Sequence, residues 1–128
     1  ELQIMADGAG GAILVWEDNR DLVANSTDLY AQRIDATGSM LWALDGTAVV
    51  AAPSSQYTVS MCSDGDGGAI FAWADFRNHT TPNEWRHDIY ARRIPASGTG
   101  GWDITIISRI NSQHNPSVVP SGANGAIM

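Results

Sequence analysis

Apolar residues along this chain fall in short blocks, roughly five to seven residues long, and Gly, Pro, Asn, Asp and Ser interrupt them about every ten residues. No long window carries the 3.6-residue periodicity of an amphipathic helix. The blocks predict strands. The first runs over Leu2 to Ala6, with counterparts at Val59 to Ser63 and Ser117 to Pro120. The second spans Ala12 to Glu17 and Ala69 to Ala74, and is apolar nearly throughout, which suits a strand covered on both faces. The third runs from Asp28 to Ile34 and from Asp88 to Ile94, with Leu29, Ala31 and Arg33 on one side and Tyr30, Gln32 and Ile34 on the other. A fourth lies near Thr47 to Ala51 and Ile104 to Ser108. Between the first two strands sits Asp-Gly-x-Gly-Gly, a hairpin turn in which glycine supplies positive φ.

These correspondences share one step. Asp7 to Arg20 returns as Asp64 to Arg77, 57 residues on, with nine of the fourteen positions identical. A third copy opens at Ser121-Gly122-Ala123-Asn124-Gly125-Ala126-Ile127. The second unit gains three residues before Asp88 and loses three before Gln113, so length changes stay in loops. The units are therefore residues 1–57, 58–114 and the start of a third at 115–128. Repeats of this size bury their apolar faces against their neighbours, and about three are usually needed for stability. The expectation is an all-β chain of tandem four-stranded antiparallel repeats, read as consecutive β-propeller blades forming part of a ring and as a piece of a longer or processed protein. About six to eight blades would close such a ring. An open stack of sheets or a sandwich is the other architecture this pattern allows.

Charge narrows the partners. Fourteen acids face seven Arg and no Lys, a net charge of −7. Scattered acids repel nucleic-acid backbones and anionic membranes, so no nucleic acid is expected as a partner. No apolar run reaches the roughly 18 residues of a membrane span. Cys62 stands alone, at a position where the other copies carry Met5 and Val119, and reads as a small hydrophobe.

The recurrent Gly-Gly-Ala-Ile-x-x-Trp-x-Asp-x-Arg, followed by Asp-(Leu/Ile)-Tyr-Ala-x-Arg-Ile, a Gly turn and a Trp, resembles a repeat of large secreted bacterial proteins, many with a C-terminal secretion-sorting domain. The resemblance covers essentially the whole chain. It implies propeller-like β-domains and a secreted or cell-surface location, and implies no particular activity.

Candidate chemistry follows from the motif. In Trp16-x-Asp18-x-Arg20 and Trp73-x-Asp75-x-Arg77, alternate residues share a strand face, so each Arg is expected to lie over the Trp ring and pair with the Asp, with Asp28 and Asp88 as further partners. Repetition in both units favours a structural ion pair over a binding site. Asp64-Gly65-Asp66-Gly67 has the alternating carboxylates of a calcium ligand set, but the other copies lack them, and the turn reading is preferred. The three His show no metal-binding spacing, and neither metal nor cofactor is expected. Trp85, Arg86 and His87, in the loop where the second unit departs from the first, are the best ligand-binding candidates. Asn25-Ser26-Thr27 and Asn78-His79-Thr80 match a glycosylation sequon. No catalytic triad, phosphate loop or carboxylate pair is legible. The function expected is non-catalytic: an extracellular module that binds or scaffolds through glycan or protein contacts. The alternatives are a structural protein assembling through strand edges with further copies of itself, and an inert part of a larger glycoside-processing propeller.

Overall fold

The computed structural model describes residues 1–78, 86–108, 112–122 and 125–127. The strands are β1 (Leu2–Ala6), β2 (Ala12–Asp18), β3 (Asp28–Ile34), β4 (Thr47–Val50), β5 (Gln56–Ser63), β6 (Ala69–Asp75), β7 (Asp88–Ile94), β8 (Trp102–Ile107), β9 (Val119–Pro120) and β10 (Ala126–Ile127). They form two antiparallel four-stranded sheets, β1-β2-β3-β4 and β5-β6-β7-β8, and a two-stranded hairpin, β9–β10. Each sheet is a meander of sequential neighbours and is open. No helix occurs among the described residues, and none is therefore long and apolar enough to cross a membrane.

The two sheets pair in the same register: Trp16 lies opposite Tyr30 and Asp18 opposite Asp28, while Trp73 lies opposite Tyr90 and Asp75 opposite Asp88. Both interrupt the pairing of their last two strands at one place, between Leu29 and Tyr30 and between Ile89 and Tyr90.

The sheets stack in one direction. Ile13, Val15, Leu29 and Ala31 of the first sheet are fully buried against Val59, Phe71, Trp73 and Ile94 of the second. The second sheet's opposite face, with Ile70, Ala72 and Ala91, receives Val118 and Ala126 of the third unit. Ile70 and Ala72 are the repeat equivalents of Ile13 and Val15, so the same face points forward each time. Hydrogen bonds pin the stack: the Arg33 guanidinium and the Trp42 indole both donate to the Ala96 carbonyl, at 3.3 and 3.1 Å, and Val118 N–H donates to Ser60 Oγ at 3.2 Å.

Position in this stack sets burial. Strand β6, between two neighbours, is buried along its whole length, as its unbroken apolar sequence predicts. Strand β2 shares four of its seven residues, but only one of its faces is covered. Leu14 and Trp16 are half-buried where their equivalents Phe71 and Trp73 are buried, and Leu2 and Ile4 beside them are exposed.

The turn glycines have two separate roles. Gly8 and Gly10 take φ of 79° and 90°, and Gly65 and Gly67 repeat this with 79° and 78°. The final glycine is required for space: a Cβ on Gly68 would lie 2.4 Å from the Ile94 carbonyl oxygen and 2.5 Å from Asp64 Oδ2.

Candidate functional site

Both copies of the Trp-x-Asp-x-Arg motif fold into one cluster. The Trp16 indole N–H donates to Asp18 Oδ2 at 2.8 Å, and Trp73 donates to Asp75 Oδ2 at 2.9 Å. Each Asp also accepts the backbone N–H of its Arg, and each Arg pairs with the carboxylate at 2.6 Å. The ion pair expected from sequence is present. The stacking partner differs: Arg20 lies over the Tyr30 ring at 3.8 Å and Arg77 over Tyr90 at 4.2 Å, because the chain turns back after the Asp and carries the Arg to the neighbouring strand. Trp73 stacks on Tyr90, with ring centroids 6.0 Å apart.

Asp28 and Asp88 are not partners of these Arg side chains in the hydrogen bonds of the described residues. Asp28 accepts the Asn25 amide at 3.4 Å and Ala52 N–H at 3.2 Å. Asp88 accepts Asn78 at 2.7 Å and Ser108 Oγ at 3.1 Å. Cross-strand register puts each opposite another carboxylate, Asp18 or Asp75, and it is that carboxylate that holds the Arg. The sequon asparagines thus spend their amide nitrogens on buried Asp residues, bonds that a glycan on the same nitrogen would disturb.

A second recurring cluster was not anticipated. Asp7 Oδ1 accepts Ala9 and Gly11 N–H, and its Oδ2 accepts Arg33 Nε and Nη2 at 2.9 and 2.8 Å. Asp64 repeats the arrangement with Asp66, Gly68 and Arg93. Asp64 is therefore committed to its own turn and to Arg93, and Asp66 is exposed, in keeping with the turn reading over a calcium site. No group of three or more metal-ligating side chains forms among the described residues. Burial pushes the Cys62 thiol pKa up, with the Asp64 charge adding to it, which disfavours the reactive thiolate.

Of the loop candidates, Trp85 lies outside the described residues, and Arg86 is half-buried. His87 is 5% exposed and packed among rings: Phe76 at 3.9 Å, His114 at 4.5 Å and Tyr57, whose hydroxyl is hydrogen-bonded to His87 Nε2. This side chain holds the loop base together and presents little surface to a ligand.

The carboxylates respond to pH in opposite directions. Backbone N–H of Ala9, then Arg33, hold Asp7 below the usual carboxylate range, and Arg20 does the same for Asp18. Their contribution to stability is present above the unfolded-state pKa near 3.9 and is lost as pH falls through the lower folded values. Burial raises Asp28, so its ionisation opposes folding at neutral pH and not in acid. Asp28→Asn keeps an acceptor for Ala52 N–H and removes the buried charge. Its melting temperature is expected to exceed the wild type's at pH 7 and to lose that advantage at pH 3; an advantage of equal size at both would refute this account.

A cleft beside the Trp-x-Asp-x-Arg cluster of the second unit lies between the sheets. It measures about 280 Å³; residues 49–52 form one wall, and Arg77, Arg92, Asp103 and Thr105 of the second sheet form the other. No protein-family model matches the chain, and neither a curated protein nor a solved structure matches it significantly.

Proposed function

We propose that this chain is a non-catalytic module of consecutive propeller-type blades that binds or scaffolds outside the cell through glycan or protein contacts. The observation that carries this reading is the one-directional stacking of equivalent sheets, in which each unit offers its neighbour the face it will itself repeat. Solenoids and propellers are built this way, and they bind through loops and inter-unit clefts. The motif carboxylates support the non-catalytic part, because in both units they serve their own turns and strands. The extracellular setting rests on the resemblance of the repeat to those of secreted bacterial proteins.

The test is capture. The purified chain, immobilised and exposed to a panel of neutral and acidic oligosaccharides and of surface proteins, is expected to retain a subset and release them with unchanged mass. Cleavage of a retained glycan, abolished by a substitution within these residues, would make the chain an enzyme and end this reading.

A structural, self-associating protein is a second reading, supported by the uncovered face of the first sheet, where Leu2 and Ile4 are 63% and 64% exposed. Its equivalent on the second sheet is occupied, which makes sheet-face packing a stronger route to association than strand edges. Under this reading sedimentation velocity shows concentration-dependent oligomers that Leu14→Asp abolishes. A monomer at all concentrations rules it out.

A further inference from the structure

Two departures from the repeat meet in the inter-sheet cleft. The first is Arg92, which stands where the first unit has Gln32. Gln32 is wholly engaged within its own sheet: its amide donates to the Ala43 carbonyl at 2.7 Å, and its oxygen accepts Arg33 and Trp42 N–H at 2.9 and 3.0 Å. Arg92 instead crosses to the other sheet, donating to the Val49 carbonyl at 3.3 Å, and stands 3.9 Å from Asp103, beyond hydrogen-bond distance. Asp103 itself replaces Ala43, and its side chain is 67% exposed.

The second departure is the pose of Arg77. Arg20 grips Asp18 with both Nε and Nη2, at 2.8 and 2.6 Å, and its Nη2 also donates to the Asp45 carbonyl at 2.9 Å. Arg77 holds Asp75 with Nη2 alone. Its Nε is buried without a hydrogen-bond partner, and Nη1 has none among the described residues. An unpaired guanidinium donor is costly, and the first unit avoids it with nearly the same residues. The cleft is lined by two guanidiniums, Arg77 with a buried Nε that a ligand reaches only if the side chain turns and Arg92 with one long bond to Val49, by one loosely held carboxylate and by the Thr105 hydroxyl.

We propose that this cleft binds a carboxylated sugar unit of the uronic-acid type, a proposal that rests on the binding-module reading above and gives it a site and a ligand class. The ligand carboxylate accepts from Arg77 and Arg92, the bidentate geometry that guanidinium favours. Ring hydroxyls donate to Asp103 and exchange hydrogen bonds with Thr105. A neutral sugar leaves the guanidinium donors unmet. A bare phosphate, dianionic beside Asp75 and Asp103 in a chain of net charge −7, is repelled more strongly than a single carboxylate and carries no ring to cover the apolar wall. The volume is just under the span of drug-sized ligand pockets and suits one ring. Trp73 is 1% exposed and Tyr90 already carries Arg77 over its ring, so the sugar ring rests on Ile104, which is 51% exposed, without aromatic stacking.

The test is a titration of the isotopically labelled chain followed by amide and Arg Nε–H resonances, with glucuronate as probe and glucose and acetate at matched ionic strength as comparisons. Saturable shifts are expected at Arg77, Arg92, Asp103 and Thr105, with affinity at least about tenfold weaker for either comparison. Arg92→Gln installs the residue the first unit already uses, so the fold is retained, as unchanged amide dispersion will report, and affinity falls at least about tenfold. Asp66→Ala, on an exposed turn, leaves it unchanged. Glucuronate shifts that fail to saturate, that match those with glucose, or that survive Arg92→Gln overturn the cleft. If the chain still captures another glycan or a protein in that event, the module reading stands without this site. Saturable glucuronate binding together with cleavage of a retained glycan in the capture assay overturns the module reading and leaves the site.

Discussion

Trp73→Ala is expected to lower unfolding stability by about 3–5 kcal/mol, the range for emptying a large buried aromatic site. Trp73 is 1% exposed and lies at the junction of the two sheets, packed on Tyr90 and hydrogen-bonded to Asp75, itself 1% exposed. Truncation leaves a cavity that both sheets line, and removes a donor from a buried carboxylate. Trp16→Ala provides an internal comparison. Trp16 occupies the same motif position and donates equally to Asp18, but no sheet covers it and it is half-buried. Its loss is expected to cost about 1–2 kcal/mol. Urea denaturation of the two variants, compared at unchanged m, measures the difference. Equal losses would mean that the motif's local bonds, and not sheet stacking, set its contribution.

That comparison marks the boundary of what was legible in the sequence. Period, alternation and turn residues are local signals, and they placed β3 and β7 at their observed limits, Asp28–Ile34 and Asp88–Ile94. Burial is not local. Strands β2 and β6 share most of their residues, yet the apolar run that signals two covered faces is met only in β6, because coverage depends on what stacks above. The Trp-x-Asp-x-Arg spacing foretold the ion pair, but alternation holds only while the chain stays extended. The turn after Asp18 broke it and carried Arg20 onto Tyr30, which the cross-strand register sets opposite Trp16. The Asp7–Arg33 pair, 26 residues apart, had one available signal: both residues recur in the second unit as Asp64 and Arg93, each near a hairpin end. The cleft was hidden for the opposite reason. Its residues are where the units differ, Arg92 in place of Gln32 and Asp103 in place of Ala43, and they come to face the other unit only when the two sheets stack.

The recurring turn pair leads to the second large effect. Asp64→Ala is expected to cost about 3–5 kcal/mol, because it strands a partner of a buried ion pair. The Asp64 side chain is fully buried and that of Arg93 is 16% exposed, so water cannot readily replace the lost carboxylate. The same substitution frees the N–H groups of Asp66 and Gly68, both now bonded to Asp64 Oδ1 at 2.8 Å. Asp64→Asn separates the two losses. Its oxygen retains the turn bonds while its amide nitrogen faces the guanidinium, so the expected cost is about 2 kcal/mol, the share of charge-assisted hydrogen bonding alone. Asp64→Ser reproduces the third unit, where Ser121 occupies this place and Ser121 N–H bonds to the Gly125 carbonyl, the equivalent of the Asp64-to-Gly68 turn bond. A short hydroxyl can cap the turn but cannot reach an Arg across it, so this variant is expected to fall between the other two. Equilibrium denaturation of the three, run at low and at high salt, decides the matter. A cost below about 1 kcal/mol for Asp64→Ala would show that Arg93 finds another partner and that the turn, not the ion pair, is what the repeat preserves.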